Sequence, residues 1–281
     1  MAVQPAVSIV IPTRNRARYL EVALRSLMAQ DLDGPFEVVV VDDASADDTG
    51  AVAGRLGATI LVHEDARGPN AARNTGIRSN EAPLVAIVDD DVLAPPGWLR
   101  ALVEGACRHR DAEAFGGPIR ARFEGPAPRG CGRELPPITT LDLGARDTET
   151  ELVWSANMAL RRSAFERVGP FDESFIVGGD EEDWLRRLRS IGGKVVYLAA
   201  AGLEHRRVGD DARLRALVRS AYHRGRNMRA YDRRRGVAPS VAHELRLLTG
   251  CGWHTLRRGC PQGLIMGAHS AGRTIEAVRS R

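Results

Sequence analysis

Asp89, Asp90 and Asp91 come directly after the apolar run Leu84, Val85, Ala86, Ile87 and Val88. The run reads as one buried β-strand, and a strand covered on both faces delivers the residues after it to the carboxyl edge of its sheet, where open α/β folds bind ligands. Three carboxylates crowded there repel one another unless a cation or a proton relieves them. A divalent cation of the magnesium or manganese kind meets that need, because hard cations take oxygen ligands and share their shell with substrate phosphates. The competing reading is an acidic turn whose Asp caps a helix ahead of Pro95 and Pro96.

Four other places carry chemistry. Asp42 and Asp43 close a second apolar run, Phe36 to Val41, so both acidic groups are expected on one sheet edge. A carboxylate there can accept an imino N–H from a nucleobase, a directional bond with strong discrimination. An Asp capping the next helix is the structural alternative. Arg73 lies in an early turn of a helix opened by Gly68 and Pro69, where a guanidinium joins backbone amides in holding phosphate. Gly178 and Gly179 lead into Asp180, Glu181, Glu182 and Asp183, ahead of Trp184. The helix dipole favours acids in such a first turn, and a carboxylate presented after glycines also suits a general base for an acceptor hydroxyl. His205, after a strand-like stretch and a glycine, either completes an oxygen-rich metal shell or is an ordinary structural histidine.

The elements that must position these groups alternate. Val7–Ile11, Phe36–Val41, Ala58–Val62 and Leu84–Val88 read as strands, separated by helices over Ala17–Gln30, from a Ser45/Asp48 capping box to Leu56, and from Pro69 to about Ser79. Repeated βα units imply an α/β fold with a mostly parallel sheet and right-handed crossovers. The second half is less regular. Strands are expected at Ala112–Gly116, Trp154–Leu160 and Lys194–Leu198, a helix at Asp180–Ile191, and a mobile loop over the Pro-, Gly- and Arg-rich Glu124–Pro137. Beyond Asp210 the pattern is helical and basic, with Leu214, Leu217 and Val218 on one face.

A chain of 281 residues, 43% hydrophobic, buries a real core in one large domain or one domain with an appendage. Residues 201–281 hold 17 Arg and 6 acids, a net charge of +11; against +4 for the whole chain, residues 1–200 carry −7. Aromatic residues are too sparse in the basic part for a nucleic-acid stacking platform, and no nucleic-acid motif appears. An anionic membrane surface or a phosphate-bearing acceptor fits it better, and an Arg-rich solvated helix face is the plain alternative. Cys107, Cys131, Cys251 and Cys260 show no zinc spacing, as expected of reduced thiols in a cytoplasmic chain. No signal peptide and no membrane-spanning stretch is expected.

The chain resembles the inverting glycosyltransferases of family 2. The matching stretches are Val7-Ser-Ile-Val-Ile-Pro-Thr-Arg-Asn15, Val40-Val-Asp-Asp-Ala-Ser45 with Asp48-Thr49, Ala72-Arg-Asn-Thr-Gly76, Val88-Asp-Asp-Asp91, Ala156-Asn-Met-Ala-Leu-Arg-Arg162, the acidic helix start and His205. The resemblance covers roughly residues 6–210. It implies the A-type (GT-A) nucleotide-sugar transferase fold, with a nucleotide-binding half at about 6–110, an acceptor half at 111–210 and a basic helical region at 211–281. It further implies that Pro12, Thr13, Asn15, Asp42 and Asp43 hold the nucleoside, with Arg73 and Asp90 assisting the donor. Asp89 and Asp91 would form the Asp-x-Asp metal motif, with His205 a further ligand.

The implied activity is manganese- or magnesium-dependent transfer from a UDP-, GDP- or dTDP-sugar to a hydroxyl of a glycan, glycolipid or lipid-linked sugar. One departure leaves the base open. The family usually shows Glu-Asp before the helix. Counting back from Arg187 and Gly192 selects Glu181, whereas residue type beside Trp184 selects Asp183. A haloacid-dehalogenase-like phosphatase fits poorly, since the only lysine, Lys194, lies beyond the later acidic motif. A non-catalytic protein on the same fold is disfavoured because every acidic position is filled. A nicotinamide dehydrogenase is excluded, since no Gly-x-Gly-x-x-Gly comes after the first strand.

Overall fold

A computed structural model describes residues 5–125, 138–175 and 180–279. In chain order they form β1 (Val7–Thr13), α1 (Ala17–Met28), β2 (Phe36–Asp42), α2 (Thr49–Arg55), β3 (Thr59–Val62), α3 (Pro69–Arg78), β4 (Leu84–Ile87), β5 (Val92–Leu93), α4 (Trp98–Arg108), β6 (Ala114–Gly116) and β7 (Ile119–Glu124). After these come β8 (Thr148–Glu149), β9 (Met158–Arg161), α5 (Arg162–Val168), α6 (Asp180–Ser190), β10 (Val195–Tyr197), β11 (Leu203–Val208), α7 (Leu214–Arg234), α8 (Val241–Arg258) and α9 (Pro261–Arg279). Two compact units result, the first with described residues 5–121, 139–175 and 180–205, the second with 122–125, 138 and 206–279.

The first unit is built on an eight-stranded sheet ordered β3-β2-β1-β4-β9-β6-β10-β8. β1 pairs in parallel with both β2 and β4, through Thr13 opposite Asp42 and Val10 opposite Ile87. Asp42–Asp43 and Asp89–Asp91 therefore leave the sheet at the same edge, as expected. The strands are apolar on both faces because both are covered. Val7, Ile9 and Ile11 pack with Leu20, Leu24 and Leu27 of α1 and with Trp98 and Leu102 of α4. Val10, Val85 and Ile87 pack on the other face with Ile77, Trp184, Leu185 and Leu188. Helix α3 approaches β1 closely enough that a Cβ on Gly76 would fall 2.4 Å from Val10 Cγ1.

Three local expectations changed. β9 pairs antiparallel with β4 and β6, interrupting the parallel sheet, and is entered through a 3₁₀ turn at Ser155–Asn157. α2 begins at Thr49 without a capping box: the Ser45 hydroxyl is engaged by the Asn15 amide, and Asp47 Oδ1 accepts the Thr49 N–H. Helix α4 lies outside the expected set. Residues 126–137 of the expected mobile loop, and Gly178 and Gly179, lie outside the described residues.

In the second unit, α9 packs on α7 and α8. The first contact is close: Cβ atoms on Gly225 and Gly272 would fall 2.0 Å from His269 O and 2.1 Å from Tyr222 O. Glu244, fully buried, pairs with Arg229 and Arg273, and Arg273 also reaches Asp232 at 2.7 Å. With Glu276 held by Arg226, all three acids of residues 214–279 are in internal pairs, against 13 Arg in the same span. Ser240 caps α8 and Gly259, left-handed at φ 57°, ends it. Among the described residues, Cys107, Cys251 and Cys260 are free thiols and no helix is long and apolar enough to cross a membrane.

Candidate active site

The carboxyl end of β4 delivers its three acids as the strand pattern requires, and their surroundings differ. Asp90 and Asp91 are buried, whereas the Asp89 side chain is about one-third exposed. Thr13, at the end of β1, donates its hydroxyl to Asp90 Oδ2 at 2.7 Å. Arg16, the residue before α1, spans the pair: Nε lies 2.7 Å from Asp90 Oδ1 and Nη2 2.6 Å from Asp91 Oδ2. Its guanidinium stacks on the Tyr19 ring at 4.1 Å. Burial pushes the Asp90 carboxyl up to about 7, with Arg16 opposing the shift and Asp91 reinforcing it. Burial disfavours the Arg16 cation, but Asp90 and Asp91 outweigh it and hold the guanidinium above its ordinary value.

His205 reaches the cluster from β11, placed by its pairing opposite Val92 of β5. Its Nε2 lies 3.0 Å from Asp91 Oδ1, and its Nδ1 lies 3.1 Å from the Thr139 carbonyl. A carbonyl only accepts, so Nδ1 carries the proton and Nε2 is turned toward Asp91, the arrangement that orients metal-ligating histidines. One ligand atom each from Asp89, Asp91 and His205 lie within 4.8 Å of one another. Two carboxylate oxygens and one imidazole nitrogen suit a manganese- or magnesium-class ion, so the residues present fit the implied cation.

At the end of β2 the two aspartates are tied into the adjoining turns. Asp42 Oδ1 accepts the Ser45 N–H at 2.9 Å. Asp43 accepts the Arg67 and Gly68 amides, each at 2.8 Å, and His63 Nδ1 at 2.8 Å, while His63 Nε2 lies 2.9 Å from the Thr75 hydroxyl. Burial works against the Asp43 charge, but these donors overcome it and hold the carboxyl below its usual range. Two amides ahead of α3 are thus committed to Asp43. Pro12 is half-buried at the end of β1. Asn15 and Ala44 both have left-handed backbone, at φ 54° and 58°; such sparsely populated conformations cluster at functional sites. Asn15 Oδ1 accepts the Ala46 N–H at 2.7 Å, locking the two turns together.

Arg73, buried in α3, donates to Asn70 Oδ1 and to the Ser155 hydroxyl, each at 2.8 Å, and its Nη2 lies 3.7 Å from Asp89 Oδ1. Ser155 in turn donates its hydroxyl and its amide to Glu181 Oε1, at 3.1 and 3.2 Å. Asp89 after β4, Arg73 in the first half of α3, Ser155 in the 3₁₀ turn before β9 and buried Glu181 at the start of α6 form one polar chain. Asp183 faces elsewhere: Arg186 Nη2 and Arg187 Nε engage its two oxygens at 2.7 and 2.8 Å. Arg16, Ser155 and His63 were not marked by the sequence pattern.

The profile of the family described as glycosyl transferase family 2 matches residues 8–169. Among curated proteins, the glycosyltransferase AglE of Haloferax volcanii is 27% identical over 199 residues, 69% of this chain and 64% of that protein. The pre-mycofactocin glycosyltransferase of Mycobacterium tuberculosis is 33% identical over 209 residues, 71% of this chain and 42% of that protein. The chain thus spans less than two-thirds of the length of either. Among solved structures, the mannosyltransferase PcManGT from Pyrobaculum calidifontis, in complex with GDP-Man and Mn2+, superposes with a TM-score of 0.64 at 19% identity, covering 100% of this chain and 89% of that one. Staphylococcus aureus TarS 1-349, in complex with UDP-GlcNAc, gives 0.59 at 17% identity, covering 98% and 91%. The sheet, its flanking helices and these likenesses establish the A-type glycosyltransferase fold, and with the profile spanning more than half of its length the chain belongs to glycosyl transferase family 2.

Proposed function

We propose that the chain moves a sugar from a UDP-, GDP- or dTDP-linked donor to a hydroxyl of a glycan, glycolipid or lipid-linked sugar, inverting the anomeric carbon. The observation that carries the reading is that a metal-fitting set, Asp89 and Asp91 at the carboxyl end of β4 with His205 from β11, is linked through Arg73 and Ser155 to the buried carboxylate of Glu181. When bound there, a manganese or magnesium ion neutralises charge on the departing nucleoside diphosphate. Arg73 adds a fixed guanidinium for the phosphates, and Pro12, Thr13, Asn15, Asp42, Asp43 and Asp90 form the nucleotide side.

Glu181 is the base this reading favours over Asp183, because Asp183 is neutralised by two arginines on its own helix. Glu181 takes the acceptor hydroxyl proton as that oxygen bonds to the anomeric carbon from the face opposite the phosphate. The carbon–oxygen bond to the diphosphate breaks, and its electron pair leaves with the nucleotide. One displacement inverts the centre and needs no protein nucleophile.

Residues 1–210 form the catalytic domain in this reading, and 211–281 a basic helical region that seats the enzyme peripherally on the anionic cytoplasmic face of a membrane. The three acids of residues 214–279 are held in internal pairs, so the other arginines of that span give the surface a positive charge. Beside them lie Leu256 and Trp253, 83% and 64% exposed, and an apolar groove of about 770 Å3 lined by Leu248, Leu256, Leu264 and Ala268. Apolar side chains next to arginines suit an anionic interface, whereas a second copy would oppose like charge to like.

The donor is tested by thermal shift with UDP-, GDP- and dTDP-sugars, with and without manganese. One nucleotide class should raise Tm only with the metal, by several degrees at about 100 times Kd, equivalent to about 2.7 kcal/mol. No shift with any donor in the presence of manganese overturns the reading.

A further inference from the structure

Arg16 occupies a position that no transfer step above uses. Its backbone is fixed: the N–H donates to Thr49 Oγ1 at 3.1 Å, next to the left-handed Asn15. Its side chain, stacked on Tyr19, places one nitrogen on Asp90 and another 2.6 Å from Asp91 Oδ2. Asp91 is also one of the three residues that fit a divalent cation, with His205 on its other oxygen. A guanidinium and a divalent cation thus claim the same carboxylate. Like charges at such range repel strongly where water is largely excluded.

The charge balance decides when the metal can win. Asp89, Asp90 and Asp91 face Arg73 and Arg16, so the cluster is already largely compensated, and a bare divalent ion adds two positive charges to it. A nucleoside diphosphate arriving with the metal cancels that excess and offers phosphate oxygens on which an arginine fork can be satisfied. We propose that Arg16 is the built-in counter-ion of the acidic cluster and makes divalent-metal binding depend on a bound nucleoside diphosphate. It acts as a positioning residue through Asp91 and rests on the reading of Asp89, Asp91 and His205 as the metal site. The consequence is coupled loading: metal and nucleotide bind as a pair, each raising the affinity of the other by the same factor.

The test is calorimetric titration of the full chain with MnCl2, alone and with saturating UDP or GDP, with blanks for the metal–nucleotide complex in solution. The wild type should bind Mn2+ weakly alone and about tenfold or more tightly with one of the nucleotides. Arg16→Met should bind Mn2+ alone about tenfold more tightly than wild type, and the nucleotide effect should shrink to about threefold or less. Arg16→Lys keeps the charge but loses the two-pronged contact, so it should fall between them; it also carries the test if Arg16→Met does not fold, judged by circular dichroism. Unchanged affinity for Mn2+ alone in the folded variants, with nucleotide coupling intact, overturns the role of Arg16. Absence of Mn2+ binding in the wild type with either nucleotide overturns the metal site itself and this proposal with it.

Discussion

Replacing Glu181 by Gln separates chemistry from architecture. The Ser155 amide and hydroxyl donate to Glu181 Oε1 at 3.2 and 3.1 Å, and a glutamine carbonyl accepts both, so the link to Arg73 and Asp89 survives. Basicity is lost. General-base catalysis contributes about 10²–10⁴-fold, or about 3–5 kcal/mol of barrier. Glu181→Gln should therefore lower the single-turnover rate of nucleoside diphosphate release by that factor while donor Kd stays within about threefold. Asp183→Asn breaks contacts to Arg186 and Arg187, both on the same helix. These partners are 48% and 29% exposed, so solvent screens the pairs and the loss is about 0.5–1 kcal/mol of stability, with the chemical step unchanged. A Glu181→Gln enzyme within about tenfold of wild type, or an Asp183→Asn enzyme slowed about 100-fold at intact donor affinity, refutes the assignment.

Chelation should abolish transfer, and Asp91→Asn should reduce it about 100-fold or more through loss of leaving-group stabilisation; full turnover in excess chelator contradicts this. Asp43 is held below its usual range, so it stabilises the fold above its unfolded value of 3.8 and that contribution fades as pH falls through the lower folded value. Asp43→Asn should accordingly lose about 1–3 kcal/mol at pH 7, with the gap to wild type narrowing below pH 3.8 in denaturant melts; a gap that widens in acid is the opposite result. For the helical unit, vesicle cosedimentation should show binding to anionic but not neutral lipid, lost at high salt, as expected of about 1 kcal/mol per arginine screened within a Debye length. Equal binding to both lipids, none to either, or a dimer in solution would assign the exposed face another role.

The sheet edge was legible because its signals are local. An apolar run as short as Leu84–Val88 reads as a strand covered on both faces, as its burial at Leu84–Ile87 bears out, and the acids after such a strand emerge at its carboxyl end. The β9 insertion was not legible in direction, because a four-residue apolar strand carries no mark of parallel or antiparallel pairing. The Ser45 capping box failed for a related reason: its hydroxyl was claimed by Asn15, 30 residues away, and a local motif cannot foresee a remote competitor.

The choice of base shows where a stronger local rule was available. Glu181, Trp184, Leu185 and Leu188 stand at helical spacing and are all buried, whereas Asp183 lies off that face. Helix periodicity alone therefore turns Glu181 inward and leaves Asp183 to the arginines of its own helix, in line with the count back from Arg187 and Gly192 and against the match by residue type beside Trp184. No such rule exists for the counter-ions. The chain holds 40 Lys and Arg, so one arginine carries no signal, and Arg16 meets acids 74 and 75 residues away. Acids at a strand end are dictated by the strand, but the cation that balances them can come from any neighbouring element, and only the assembled sheet edge selects it.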